Sequence, residues 1–243
     1  MSDLFMPRQT NTGLYVQMHE AGYTVDEICD AQKAYRLSCH LFNGRYRKSE
    51  RAFICHAVGA ASATILSKPS VEIVIAAMLH AAYDSGQFPD GRTGRRSVAH
   101  KDWLASEIGA EIESIVARLL DFDFGLGAPE LLVEDGYPDN SRDLLLIALS
   151  HEIDDLADGG LAFSPKYGES IASRVNACAT IARQIELPKL ATTIERYGAV
   201  YEDLSWTSPL RNDTLEGFRI APNFRAYVRL LRDHWRGRRV YIN

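Results

Sequence analysis

An all-α helical bundle is the fold this sequence predicts, and three observations predict it. Most long segments carry apolar residues three and four positions apart, and almost none alternates like a half-buried strand. Several segments open on residues that cap helices and close on glycine or proline. One of them, VEIVIAAMLHAAY, is apolar on nearly every side, which suits a helix at the centre of a bundle.

The elements follow in order. Residues 1–23 read as an N-terminal segment, and Thr24-Val-Asp-Glu27 is a capping box that opens a helix through ICDAQKAYRLSCHLF to Gly44. A second helix is expected from about Phe53 to Leu66. Pro69 and Ser70 start the central helix, Val71 to Tyr83, and SGQFPDGRTGRRS follows as a glycine-rich basic loop. SVAHKDWLASEIG and EIESIVARLL come next, the latter with Ile112, Ile115, Val116 and Leu119 on one face. DFDFGLGAPELLVEDGYPDNS reads as a long irregular connection, of a length that is often functional inside a compact domain. Ser141 is placed to cap RDLLLIALSHEIDDLAD, and two amphipathic helices are expected around 170–186 and 189–205. The organisation is thus one helical domain over 24–205 and a C-terminal extension, a loop and a helix, over 206–243.

Composition limits the function classes. With 243 residues and 46% hydrophobic content the chain can bury a sizeable core. A net charge of −5 argues against nucleic acid as a general partner, even with the basic RLLRDHWRGRR near the C-terminus. That stretch reads rather as a solvated face or a contact in a homo-oligomer. Cys29, Cys39, Cys55 and Cys178 show no CxxC spacing and read as reduced core thiols. MSDLFMPRQTNTG lacks the layout of a secretory signal, and the longest apolar run is too short to span a bilayer. The expectation is a cytoplasmic protein with no membrane partner.

One stretch raises a chemical question. In RYRKSERAFICHAVGAA, four basic residues (Arg45, Arg47, Lys48 and Arg51) lead directly into an apolar segment that carries His56. A solvated charge run before a core helix explains this, and so does an anion clamp beside a working histidine. A second histidine, His80, lies on the central helix, and Asp84 follows it by four residues, on the same face if the helix continues. His151 and Asp155 repeat that spacing.

GRYRKSERAFICHAVGAASATIL resembles the opening of the hydrolase domain of the stringent-response alarmone (ppGpp) synthetase/hydrolases, metal-dependent phosphohydrolases of the HD superfamily. Arg47-Lys48-Ser49, Phe53 and His56 stand where that family has a basic turn, an aromatic residue and a metal-binding histidine. Met78-Leu79-His80-Ala81 is similar to its Leu-Leu-His-Asp signature, and LLLIALSHEIDDLAD to the helix bearing its last metal-ligand aspartate. The likeness spans roughly residues 25 to 160. It also departs from the family: Ala81 replaces the doublet aspartate, His151 falls on the later aspartate, and Asp84-Ser85 stands for a Glu-Asp pair. These changes weigh against alarmone hydrolysis itself.

The resemblance implies an HD-domain-like bundle with a divalent ion (Zn, Fe or Mn) on His56, His80 and His151. Imidazoles in place of carboxylates favour Zn or Fe over oxygen-preferring Mn. Asp84 and Asp155 are the candidate acid/base groups. Arg45, Arg47 and Lys48 are the candidate grip on a small phosphorylated or anionic molecule, a nucleotide among the candidates. In GRTGRRSVAHK, Arg95 and Arg96, flanked by Arg92 and Lys101, form a candidate second wall. The expected activity is hydrolysis of such a metabolite. Two alternatives stand beside it: a degenerate domain that binds a ligand or protein without catalysis, and an HD-like pocket turned to non-hydrolytic chemistry.

Overall fold

The computed structural model describes residues 4–47, 49–94, 96–159, 171–202 and 218–219, with positions 228 and 232 beyond them. The fold is an all-α bundle. Its helices are α1 (Asn11–Glu20), α2 (Val25–Leu41), α3 (Phe53–Thr64), α4 (Val71–Met78), α5 (Ala82–Ser85), α6 (Val98–Ile108), α7 (Ala110–Asp121), α8 (Ala128–Asp135), α9 (Arg142–Ala157), α10 (Ile171–Gln184) and α11 (Pro188–Glu202).

Helix α3 is the hub. It is built from alanine, glycine, serine and valine, and every residue from His56 to Thr64 is buried. Small side chains let neighbouring helices approach closely, and α3 packs on α9 along one side and on α4 along another. At Gly59 the approach is so close that a Cβ would overlap the Asp154 carboxylate of α9, so only glycine fits there. Helix α4 is buried almost all round, as its sequence predicts. The capping box at Thr24 forms in both directions: Thr24 Oγ1 accepts from the Glu27 amide, and Glu27 Oε2 accepts from the Thr24 amide.

Several expectations are corrected. The segment 1–23 contains α1, whose Leu14 and Met18 are fully buried; the Arg8 amide donates to Ser62 Oγ on α3 at 2.7 Å. The central helix does not run to Tyr83. It ends at Met78 because the backbone tightens over Leu79–Ala81: the Leu79 amide reaches both Ile75 and Ala76 carbonyls, and Ala82 N–H bonds Leu79 O at 2.8 Å. The connection 121–141 is not irregular throughout, since α8 lies inside it, starting after Gly127 with Pro129 in its first turn. Ser141 precedes α9, but its side chain makes no capping bond.

One short ladder interrupts the helices. Strand β1 (Arg45–Tyr46) pairs antiparallel with β2 (Phe218–Arg219), with Arg45 opposite Arg219 and Tyr46 opposite Phe218. Of the terminal helix expected within 206–243, Val228 and Arg232 are described and are helical, and the rest lies outside the described residues. No helix among the described residues is long and apolar enough to cross a membrane. All four cysteines are free thiols; Cys178 is buried as expected, whereas Cys29 is exposed and not part of the core.

Candidate metal centre

The basic stretch before α3 forms a tight turn. Arg47 N–H bonds Arg51 O and Glu50 N–H bonds Arg47 O, both at 2.9 Å, with Glu50 in the left-handed region at φ 63°. Arg47 and Arg51 therefore sit together above the first turn of α3, where His56 faces α9. The break after α4 supplies His80, and the middle of α9 supplies His151. The three rings meet edge to face, with centroids 4.5 to 5.1 Å apart. One nitrogen from each lies within 4.8 Å of the other two.

The hydrogens on these rings are assigned from their partners. His80 Nδ1 lies 2.8 Å from the Ala77 carbonyl, an acceptor, so Nδ1 carries the hydrogen and Nε2 a lone pair. His56 Nδ1 lies 2.7 Å from Asp154 Oδ2. Arg51 donates to both oxygens of that carboxylate at 2.9 Å, and Arg47 Nη1, a donor only, also lies 2.5 Å from His56 Nδ1. The two Nε2 atoms face each other 3.3 Å apart.

Burial keeps these imidazoles neutral. His56 is 1% exposed, and desolvation, followed by the charge of Arg47, holds its pKa well below the ordinary value. Desolvation and then His151 bring His80 down to about 3. His151 is pushed well below 6.5 by the same loss of solvent and by Arg47. Burial drives the Asp154 carboxyl up to about 7 against the pull of Arg51. The three histidine shifts keep the rings in the form that binds a metal rather than a proton.

The donor set fits a divalent ion. Two imidazole nitrogens at ~2.0–2.1 Å from a tetrahedral ion stand ~3.3 Å apart, which is the separation of the two facing Nε2 atoms. Asp154 behind His56 and the Ala77 carbonyl behind His80 are the partners that fix ring orientation in metal-binding histidines.

The other sequence candidates divide. Arg47 is in the centre but pairs with Asp155: Nη1 lies 2.7 Å from Oδ1 and Nη2 2.8 Å from Oδ2. Asp155 is there too, with its carboxylate 3.6 Å from His151 Nδ1. Asp84 is not. The chain turns at His80, so the two residues share no helix face, and Asp84 is exposed with Ser85 Oγ donating to it at 2.9 Å. Arg96 is also elsewhere, donating to Asp121 at 2.7 Å and to the Ala117 carbonyl at 3.0 Å. Arg92 and Lys101 are exposed. Arg45 lies partly buried on β1, just before the turn. Lys48 and Arg95 lie outside the described residues.

Two further residues, Asp154 and Arg51, prove central. Asp154 is fully buried, and Arg51 beneath it also reaches Asp158 at 3.2 Å and the Cys55 carbonyl at 3.0 Å. The signal was the spacing: Asp154 and Asp155 follow His151 by three and four residues, on one face of a continuous helix. No protein-family model matches the chain, and no curated protein matches it.

Proposed function

We propose that this is an HD-like, metal-dependent hydrolase acting on a small phosphorylated or otherwise anionic metabolite, with nucleotides among the candidates. The observation that carries the proposal is the convergence of His56, His80 and His151, one nitrogen of each within 4.8 Å of the other two. A divalent ion bound there supplies Lewis acidity toward a phosphoryl oxygen. His56, His80 and His151 hold it as neutral donors, a set that suits Zn or Fe better than Mn. Asp154 orients His56, and Arg51 holds Asp154. Arg47 is the cation at the open edge that receives the anion, and Asp155, beside His151, is the nearest group to accept a proton.

Metal analysis of protein purified without chelator or affinity metal tests this. Stoichiometric Zn or Fe is expected, lost in His80→Ala, together with hydrolysis on a panel of phosphate esters and nucleotides. Metal-free wild-type protein would refute the reading. One observation favours a second reading: both carboxylates nearest the histidines are engaged by arginines, Asp154 by Arg51 and Asp155 by Arg47. In a binding module without catalysis that pairing would be permanent. Metal-loaded protein that binds inorganic phosphate but hydrolyses nothing on the panel would select that reading.

A further inference from the structure

The two arginine–aspartate pairs of the centre differ in what can reach them. In the inner pair the Arg51 side chain is 8% exposed and Asp154 0%; in the outer pair Arg47 is 23% and Asp155 10%. His151, beside the outer pair, is 32% exposed. Only the outer guanidinium is within reach of a solute. Asp155 occupies both arms of that guanidinium at 2.7 and 2.8 Å. A phosphate group would use the same two hydrogens in the same plane, since it also presents two oxygens to the fork. Carboxylate and ligand therefore compete for one site.

We infer that Arg47 and Asp155 form an exchangeable latch, in which an incoming phosphate group takes the Arg47 guanidinium and releases Asp155 beside His56 and His151. The inference rests on the proposal that this centre receives an anion. Asp155 already stands 3.7 Å from His56 Nδ1 and 3.6 Å from His151 Nδ1, so its release changes its partner without moving α9. The latch also selects its ligand. A dianionic phosphate monoester displaces a single carboxylate from a guanidinium more readily than a monoanion does, because it brings twice the charge. It further reconciles the two roles that the sequence assigns: Arg47 binds the anion and Asp155 becomes available only when the anion is present.

Calorimetric titration of inorganic phosphate into the full chain and its variants tests the latch. Removing the competitor in Asp155→Asn should tighten phosphate binding about tenfold, the scale of one charge-assisted bond. Adding Arg47→Gln to that variant should abolish the gain. Asp158→Asn deletes the same unit of charge one turn away, but Asp158 partners Arg51 and not Arg47. Its gain should stay below about twofold, as for a partly exposed charge acting at a distance. Equal gains from both aspartates would show that only net charge matters, and an unchanged or weaker Asp155→Asn would show that Arg47 does not receive the anion. Either result overturns the latch. If Asp155→Asn does not fold, the unmodified chain labelled with ¹³C gives the answer. Saturating phosphate should shift the Asp155 carboxyl resonance and leave that of Asp158 in place; a stationary Asp155 signal overturns the latch. Metal content is measured in the same samples. A chain that shows the tenfold gain but holds no metal supports the latch and refutes the metal reading alone.

Discussion

Helix α9 carries two buried carboxylate–arginine pairs with nearly the same internal geometry and different work. Glu152 takes two hydrogens from Arg174 at 2.7 Å, and Asp154 takes two from Arg51 at 2.9 Å. Two residues apart on a helix of 3.6 residues per turn, they point roughly opposite ways. On the Glu152 side, Arg174 spends its remaining hydrogens on the carbonyls of Gly125 and Phe124, at 2.8 and 3.0 Å, and lies over the Phe124 ring. That pair pins the 121–127 connection to α10. On the Asp154 side, the carboxylate has an acceptor position left for His56 Nδ1. The difference lies in what else each pair touches: Arg174 ties down backbone, whereas Asp154 holds a histidine in place.

The largest expected effect comes from breaking the Glu152 pair. Arg174→Ala strands a carboxylate that is 3% exposed and should cost ~3–5 kcal/mol, read from denaturant unfolding. Metal bound per folded molecule should be unchanged, because the other face of α9 is untouched. Gly59→Ala drives a methyl into the Asp154 carboxylate and should cost ~1–3 kcal/mol by overpacking, here with loss of metal. Retained metal in that variant would show that Asp154 need not stay behind His56. Asp154→Asn keeps the shape but not the charge, and competition against a fluorescent chelator should show affinity ~10–100-fold weaker.

Metal-free protein should also show a pH dependence of stability. His80 has a folded value of about 3 against an ordinary 6.5, so between those values the unfolded chain binds a proton that the folded chain does not. Its contribution is intact above pH 6.5 and lost as pH falls toward 3. Asp154 runs the other way: with a folded value raised to about 7, its contribution is present below the ordinary 3.8 and lost as pH rises through 7. Comparison with His80→Gln isolates the first. The stability of wild type relative to that variant should fall as pH is lowered through the histidine window, and a constant difference would mean that the ring is not held neutral.

Much of this was legible in the sequence, and the failures have physical causes. The capping box at Thr24 and the buried character of α4 are local signals, and both survive in the structure. On α9 the structure turns His151 toward His56 and Glu152 toward Arg174, with Leu149 and Leu156 buried in the core. The pairing of His80 with Asp84 failed because four-residue spacing has meaning only within an unbroken helix, and α4 ends two residues before His80. Asp154 was passed over because a carboxylate is rarely fully buried unless paired, and its partner Arg51 lies on another element far away in sequence. The cue that connects them, a glycine in α3 leaving room for a carboxylate on α9, becomes visible only when both helices are in place.

The β1–β2 ladder has a consequence for how the protein is made. Arg45 and Tyr46 lie in the first fifth of the chain and their strand partners in the last. Contacts between such distant stretches close late, after the local helices have formed. A nascent chain on the ribosome can therefore bring its histidines together while the strand leading into the basic turn still lacks its mate. The β1–β2 ladder is then among the last contacts of the fold to close.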